Sequence, residues 1–361
     1  MRVMKFGGSS LADLERVERV ADILVERSGK GQLAVVLSAP GKTTNNIVEA
    51  VDCNCSGASD NEALSRVKAT FRHIVDGLAN KYPAFDKTQV DAVWDVEYEL
   101  ITRTLNGVNL LAQCPDNIRA QLLVVGERLS IAIMRQLLTA RGLSVDLLEP
   151  RDFMMANSDY LEAQVDIELS RSKIENKDLS ASRIWLMPGF TAANSDGEIV
   201  TLGRNGSDYS AACLAACLRA DCCEIWTDVD GVYNADPRLV ADAQLIEQLS
   251  YQEAMELSYF GAKVLHPKTI VPIAQYHIPC LIKNSFNPDA PGSLVSSDRQ
   301  DDENQVKAIS NLDDISMISV SGPGMKGMVG MASRIFESIS LAGVSISLIT
   351  QSSSEYSISF C

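Results

Sequence analysis

The first forty residues constrain the fold more than any other stretch. Arg2–Phe6 alternates as a short buried strand, the residues from Leu11 have helical spacing, and Gln32–Ser38 is a second apolar strand. Strand, helix and strand in this order make a βαβ unit, which calls for a parallel sheet. The expected helix, about Ser10–Arg27, aligns Leu11, Leu14, Val17, Ala21 and Leu24 on one face. It turns Glu15, Arg16, Glu18 and Arg19 to water, with Asp13 in its first turn. Gly29 and Gly31 end it.

The junction itself reads Lys5-Phe6-Gly7-Gly8-Ser9-Ser10. Two glycines let the backbone approach a ligand, and the following helix directs unpaired N–H groups and its positive end at the same point. With Lys5 adding a full charge, this is a phosphate cradle in outline. The other reading is an ordinary strand-to-helix turn capped at Ser9 or Ser10, because short glycine motifs recur by chance. Gly41-Lys42-Thr43 is not a Walker A loop, since position 36, where that motif needs glycine, is Val.

At 361 residues the chain is long enough for about two domains. A net charge of −15 argues against nucleic acid or an anionic membrane as partner, so anionic ligands need local positive sites. No signal-peptide pattern opens the chain, and no apolar run reaches the ~18 residues of a membrane span. The nine cysteines contain no C-x-x-C pair and only three histidines accompany them. Free thiols in a reducing cytoplasm fit this better than zinc or disulfides.

Beyond the first unit, helical periodicity dominates to about Ala140, with helices expected at Asn61–Lys81, Val90–Leu105 and Asn117–Arg141. The last is apolar nearly all round except for Glu127 and Arg128. A carboxylate in such a run is either a ligand for a cation or paired structurally with Arg128 or Arg135. Leu143–Leu148 and Arg183–Pro188 read as strands. Asn194-Ser-Asp-Gly197 marks a hairpin between Phe190–Ala192 and Ile199–Leu202. A second strand–glycine–helix junction follows, Gly203-Arg204-Asn205-Gly206-Ser207-Asp208, with the helix over Ala211–Arg219. It suits a carboxylate gripped by Arg204, or is a helix cap with a surface pair. Cys222–Thr227 is a strand, Pro267 restarts or kinks a helix, and Pro279–Asn284 is expected to be the last strand of this domain.

Ser296–Gln305 is polar and acidic, the best candidate linker. After it come strand Ile315–Ser321, a helix about Met328–Leu341, and strands Ser345–Thr350 and Tyr356–Cys361. Gly322-Pro-Gly324-Met-Lys-Gly327 matches a dinucleotide fingerprint, but the unit lacks the second crossover helix that a nucleotide-binding sheet needs. The chain stops inside a strand, so it is expected to be part of a longer protein.

Seven segments together resemble the aspartokinases of the amino-acid kinase family. They are Lys5-Phe-Gly-Gly-Ser9, Leu37-Ser38-Ala39, Gly126-Glu127, Gly189-Phe190, Gly203–Asp208, Trp226–Tyr233 with Asp236-Pro-Arg238, and Phe260–Pro267. The terminal segment is similar to the start of an ACT regulatory domain. The helical stretch before Glu127 is most similar to the aspartokinase part of bifunctional aspartokinase–homoserine dehydrogenases. Ser9 stands where the family usually has Thr, which keeps the hydroxyl, and Lys42 sits in a loop that is often smaller and less charged.

The resemblance implies an α/β fold of the amino-acid kinase type, a central mostly parallel sheet between helices, with a partial ACT-like α+β unit. It divides the chain into a catalytic domain at 1–295, a linker at 296–305 and a regulatory domain at 306–361. It implies transfer of the ATP γ-phosphoryl to the β-carboxylate of L-aspartate, with Mg²⁺, as the first step of lysine, threonine and methionine biosynthesis. Lys5 and Asp208 are then the catalytic pair. Gly7, Gly8, Ser9, Thr227, Asp228, Tyr233, Arg238 and Lys263 surround the phosphates and nucleotide. Ser38, Thr44, Glu127, Phe190, Arg204 and Ser207 line the aspartate pocket, with Arg204 on the α-carboxylate and Glu127 on the α-ammonium. Gln351, Ser354 and Glu355 are effector residues for threonine or lysine, or else part of a polar hairpin. A cytoplasmic homo-oligomer is expected. A catalytically silent amino-acid sensor, or a kinase for another small carboxylate, are the alternatives.

Overall fold

The structure is a computed structural model that describes residues 1–58, 62–259, 264–297, 306–311, 315–322, 324–325, 327–352 and 356–361. They form two compact units, Met1–Ser310 and Asn311–Cys361. The first opens with β1 (Arg2–Phe6), α1 (Leu14–Ser28), β2 (Leu33–Leu37) and α2 (Thr43–Cys55). Helices α3 (Glu62–Lys81), α4 (Lys87–Leu111), α5 (Asp116–Leu123) and α6 (Val125–Ala140) follow. Then come β3 (Val145–Leu147), α7 (Pro150–Phe153), α8 (Ile167–Ile174), β4 (Ile184–Pro188), β5 (Thr191–Ala193), β6 (Ile199–Thr201) and α9 (Gly206–Leu218). The unit closes with β7 (Cys222–Thr227), β8 (Val232–Tyr233), β9 (Leu245–Ile246), β10 (Gln248–Ser250), α10 (Tyr251–Tyr259), α11 (Pro267–Gln275), β11 (Cys280–Asn284) and β12 (Ser293–Ser296).

Eight strands form one sheet in the order β10-β12-β11-β7-β1-β2-β4-β3. Only the β11–β12 pairing is antiparallel. The period-2 alternation of each strand divides the core between the two faces. Met4, Phe6, Val35, Leu37 and Trp226 pack with α1, α3, α4 and α6, whereas Val3, Val36, Met187 and Ile225 pack with α8, α9 and α11. Lys5 therefore shares the face of Val3, toward α9. Helix α9 is built of small and apolar residues all round and is buried along its length. From β1 the chain runs outward to β2 on one side and later returns to β7 on the other. That reversal puts a switch point at the carboxyl end of β1, where open α/β sheets bind ligands.

The second unit contains β13 (Ile318–Ser321), α12 (Met331–Leu341), β14 (Ile349–Gln351) and β15 (Ser357–Phe360). Its sheet is antiparallel in the order β13-β15-β14, with Met325, Ile358 and Phe360 as its small core. The glycine segment after β13 thus leads into no parallel crossover, and the dinucleotide fingerprint has no sheet to serve. Strand β13 and helix α12 begin three residues later than the spacing suggests, β14 four and β15 one.

Other expectations are corrected. A short 3₁₀ turn, Gly8–Leu11, precedes α1, and the cap is Asp13, which accepts from the Arg16 N–H at 3.0 Å, rather than Ser9 or Ser10. Glu18 does not face water. It is buried, accepting from the Tyr82 hydroxyl at 2.6 Å and pairing with Lys81 at 2.7 Å. The helix expected over Asn117–Arg141 is two, broken at Val124. Strand β12 follows β11, so Pro279–Asn284 does not contain the last strand. Helices α7 and α8 occupy a stretch in which no element was expected. The start of the Asn61–Lys81 helix at Asn61 lies outside the described residues.

Candidate active site

The parallel register aligns the carboxyl ends of the central strands. Phe6 lies opposite Leu37 and Trp226, Leu37 opposite Pro188, and Trp226 opposite Lys283. The loops beginning at Gly7, Ser38, Gly189, Asp228 and Ser285 therefore emerge side by side. Close backbone approach explains the first glycines. A Cβ on Gly8 would sit 2.8 Å from the Ala39 carbonyl and 3.0 Å from that of Gly41, whose own N–H donates to the Gly8 carbonyl at 2.9 Å. The loop after β1 is thus seated on the loop after β2. Ser10, not Ser9, is the buried hydroxyl, and it shares a 2.8 Å hydrogen bond with Ser285. Ser9 is half-buried, and its carbonyl accepts from Arg16 at 2.9 Å.

Lys5 is 8% exposed, and its ammonium meets the Asp208 carboxylate at 2.5 Å. Asp208 lies in the first turn of α9, where the helix's positive end favours a carboxylate. A Cβ on Gly7 would lie 3.4 Å from the Lys5 Nζ, so the pair sits directly beneath the glycine turn. Leading into α9, Gly203 and Asn205 have φ of +74° and +56°, a conformation that glycine and asparagine tolerate. The turn leaves Arg204 exposed, with no hydrogen bond or ion pair among the described residues. Ser207 is buried and packs so closely on Gly189 that a Cβ there would meet its Oγ at 2.7 Å. Phe190 has φ of +66°, held by donation from its N–H to Ser210 Oγ at 2.8 Å. A Cβ on Gly206 would strike its ring at 2.6 Å.

Glu127 is 3% exposed in the first turn of α6, and its Oε2 has no hydrogen-bond partner among the described residues. The structural pairing with Arg128 is absent, because that guanidinium reaches Glu97 at 3.1 and 3.3 Å. Burial raises the Glu127 carboxyl to about 8, while the backbone N–H groups of Glu127 itself and of Ala39 oppose the rise. One turn on, Ser130 donates to the Ser38 carbonyl at 2.6 Å, and Gly126 packs on Ala39. Helix α6 is therefore locked to the loop that also cradles Gly8. Thr44 is half-buried in the first turn of α2, on the same loop.

The nucleotide-side residues are looser. Thr227 donates to Asp228 at 3.1 Å, and its carbonyl accepts from Ser285 N–H at 2.9 Å. Burial and the neighbouring Asp230 raise the Tyr233 phenol. Arg238 is 77% exposed and hydrogen-bonds Asp236, two residues away. Lys263, Ser354 and Glu355 lie outside the described residues, and Gln351 is exposed at the end of β14. The sequence reading missed three contributors: Ala39, the Ser10–Ser285 contact, and His266. Burial, Lys268 and Arg204 lower the His266 imidazole, with Asp208 opposing, which locates the ring among those charges. Position after a sheet strand was the available signal for Ser285. A separate cavity of about 670 Å³ beside α4 and α6 contains none of the predicted site residues.

A model of the amino acid kinase family matches residues 1–284. The chain belongs to that family. An ACT domain model matches residues 318–361. The chain is 50% identical over 361 residues to a bifunctional aspartokinase/homoserine dehydrogenase of Haemophilus influenzae, covering 100% of this chain and 44% of that protein. The corresponding protein of Buchnera aphidicola is 45% identical, again with 100% of this chain and 44% of the relative. The chain thus spans less than half the length of these relatives. The structure of E. coli aspartokinase III with aspartate and ADP matches with a TM-score of 0.84 at 28% identity, over 100% of this chain and 78% of that one. As a family member, the chain carries its glycine loops and buried charges where the family's sheet presents its carboxyl edge.

Proposed function

We propose that this protein is an aspartate kinase, which transfers the γ-phosphoryl of ATP to the β-carboxylate of L-aspartate. The product is 4-phospho-L-aspartate, which enters lysine, threonine and methionine biosynthesis. The observation that carries this reading is the buried Glu127 carboxyl, whose Oε2 has no hydrogen-bond partner among the described residues and which is joined through Ala39 to the Gly8 loop. A buried carboxylate of this kind fits a ligand that brings its own cation, as the α-ammonium of an amino acid does. The exposed Arg204 supplies the matching grip for the α-carboxylate. Among known structures, the E. coli aspartokinase III bound to aspartate and ADP supports the same assignment.

The acceptor carboxylate is ionised at neutral pH, so the reaction needs no general base. Catalysis is then positioning with charge stabilisation. Lys5, held by Asp208, offsets the repulsion between the acceptor and the polyphosphate, and the Gly7–Gly8 backbone receives the transferring group. Thr227, Asp228, Tyr233, Arg238 and Lys263 bound the nucleotide. Ser9, Ser38, Thr44, Phe190 and Ser207 complete the two pockets. The described residues contain no group of three His, Cys, Asp or Glu able to cage a metal. Mg²⁺, when bound, neutralises charge on the phosphates, whose own oxygens and water supply most of its ligands.

A catalytic part at 1–295, a linker at 296–305 and a regulatory part at 306–361 are the proposed division; the two family matches support two parts, and the first compact unit runs on to Ser310. Lysine or threonine is the feedback effector at the ACT unit, around Gln351, Ser354 and Glu355. The E. coli aspartokinase III structure with lysine and aspartate supports this. The ACT unit of this chain suits a homo-oligomer, and the nine free cysteines suit a reducing cytoplasm.

An aspartyl-hydroxamate assay tests the activity. ATP-dependent hydroxamate is expected with aspartate and not with acetylglutamate or carbamate. Product from either control reassigns the substrate, and none from aspartate leaves a silent sensor. Calorimetry with lysine and threonine identifies the effector.

A further inference from the structure

Lys268 occupies an unfavourable place for a cation. It is the second residue of α11, after the capping His266 and Pro267, where the helix presents its positive end. The side chain turns away from the helix. Its ammonium donates to the Leu202 carbonyl at 3.2 Å and the Ala163 carbonyl at 3.4 Å, and it lies 5.2 Å above the Tyr209 ring. Each contact has a position in the site. Leu202 is the last residue before Gly203 and Arg204, and its N–H donates to the Phe190 carbonyl at 3.0 Å. Ala163 belongs to the segment hydrogen-bonded alongside Thr201 at 2.9 Å. Tyr209 follows Asp208 on α9, and its hydroxyl accepts from the Val165 N–H at 3.2 Å.

We propose that Lys268 is a positioning residue for the Arg204 loop, fixing both ends of the turn from which Arg204 projects. One end is Leu202 and the other the first turn of α9. The turn itself is closed by the Gly206 N–H donating to the Gly203 carbonyl at 3.0 Å, and Lys268 adds a hold from outside it. A cation satisfies two carbonyls and an aromatic face at once, which no neutral side chain of that length does. Lys268 also couples the turn to α11. The inference rests on the assignment of Arg204 to the aspartate pocket.

The test uses Lys268→Met, which keeps the apolar stem and removes the donor, with Lys268→Arg as the conservative rescue. Aspartate KM, ATP KM and kcat are measured together with hydrogen exchange of the amides at 203–208. Lys268→Met is expected to raise the aspartate KM about tenfold or more, leave the ATP KM within about twofold, and speed exchange across the turn. Lys268→Arg returns both readouts toward wild type. An unchanged aspartate KM with unchanged exchange overturns the proposal, as does a fall in kcat and thermal stability alone. If the wild-type protein shows no aspartate-dependent turnover, the functional reading fails, and the exchange rates still decide whether Lys268 holds the turn. Lys268→Leu replaces Lys268→Met if the latter does not fold.

Discussion

Lys5 in β1 and Glu127 in α6 are both buried and lie beside loops that touch, yet one has a charged partner and the other has none among the described residues. The Lys5 ammonium has Asp208 at 2.5 Å, so the protein itself fixes its position before any ligand arrives. Glu127 has only backbone N–H groups on one side, and its second oxygen is unpartnered among the described residues. The contrast assigns them different tasks. A paired charge is preorganised to stabilise charge that develops during reaction. A buried carboxyl without a counter-charge stays protonated in the empty protein at a cost in stability, and ionises when a cation binds beside it.

Removing each charge should therefore have opposite signatures, and the largest effect belongs to Lys5. Lys5→Met is expected to lower kcat about 10²- to 10⁴-fold, measured under saturating substrates. It should also lower the thermal midpoint by leaving Asp208 buried alone. Adding Asp208→Asn to that variant restores the midpoint and not the turnover. Recovery of turnover in the double variant would make the pair merely structural.

Glu127→Gln comes next. Its aspartate KM should rise about 10- to 100-fold while the thermal midpoint stays equal or increases, because the cost of keeping a desolvated carboxyl protonated near neutral pH has been removed. A lower midpoint would mean that Glu127 has a structural partner after all.

The pH dependence of stability follows with its sign. Burial raises the Glu127 carboxyl from an ordinary 4.5 to about 8, so the native state keeps this proton over a range where the unfolded chain has lost it. Stability from this group is therefore full below the unfolded value and declines as pH rises toward 8, by on the order of a few kcal/mol. Urea titrations of wild type between pH 5 and 8 should show the decline, and Glu127→Gln should flatten it. The smallest effect is expected at Arg238, exposed and held by its near neighbour Asp236. Arg238→Ala should change the ATP KM by less than about threefold. A larger change would show that the nucleotide draws it in.

Much of this arrangement was legible because its signals are local. Lys5-Phe-Gly-Gly and Gly203-Arg-Asn-Gly-Ser-Asp announce strand-to-helix turns, and the alternation in β1 is enough to put Lys5 opposite Phe6. Long-range contacts left less trace. That Asp208 would meet Lys5 depends on β1 and α9 packing on one face of a sheet whose strand order the chain does not spell out. Glu18 read as solvent-facing because its partner, Lys81, comes from the far end of α3. The break at Val124 was hidden because the apolar run Leu122–Val125 continues across it and Gly126 alone does not mark an end. Lys268 carried no signal, since its ligands are carbonyls on other elements.

The most direct test of the comparison is to follow the Glu127 carboxyl by ¹³C NMR, with and without aspartate. Without ligand it should titrate near 8, and saturating aspartate should pull it well down into the ordinary carboxylate range as the α-ammonium docks. A titration near 8 that aspartate does not move would mean that Glu127 is not where the substrate's charge goes.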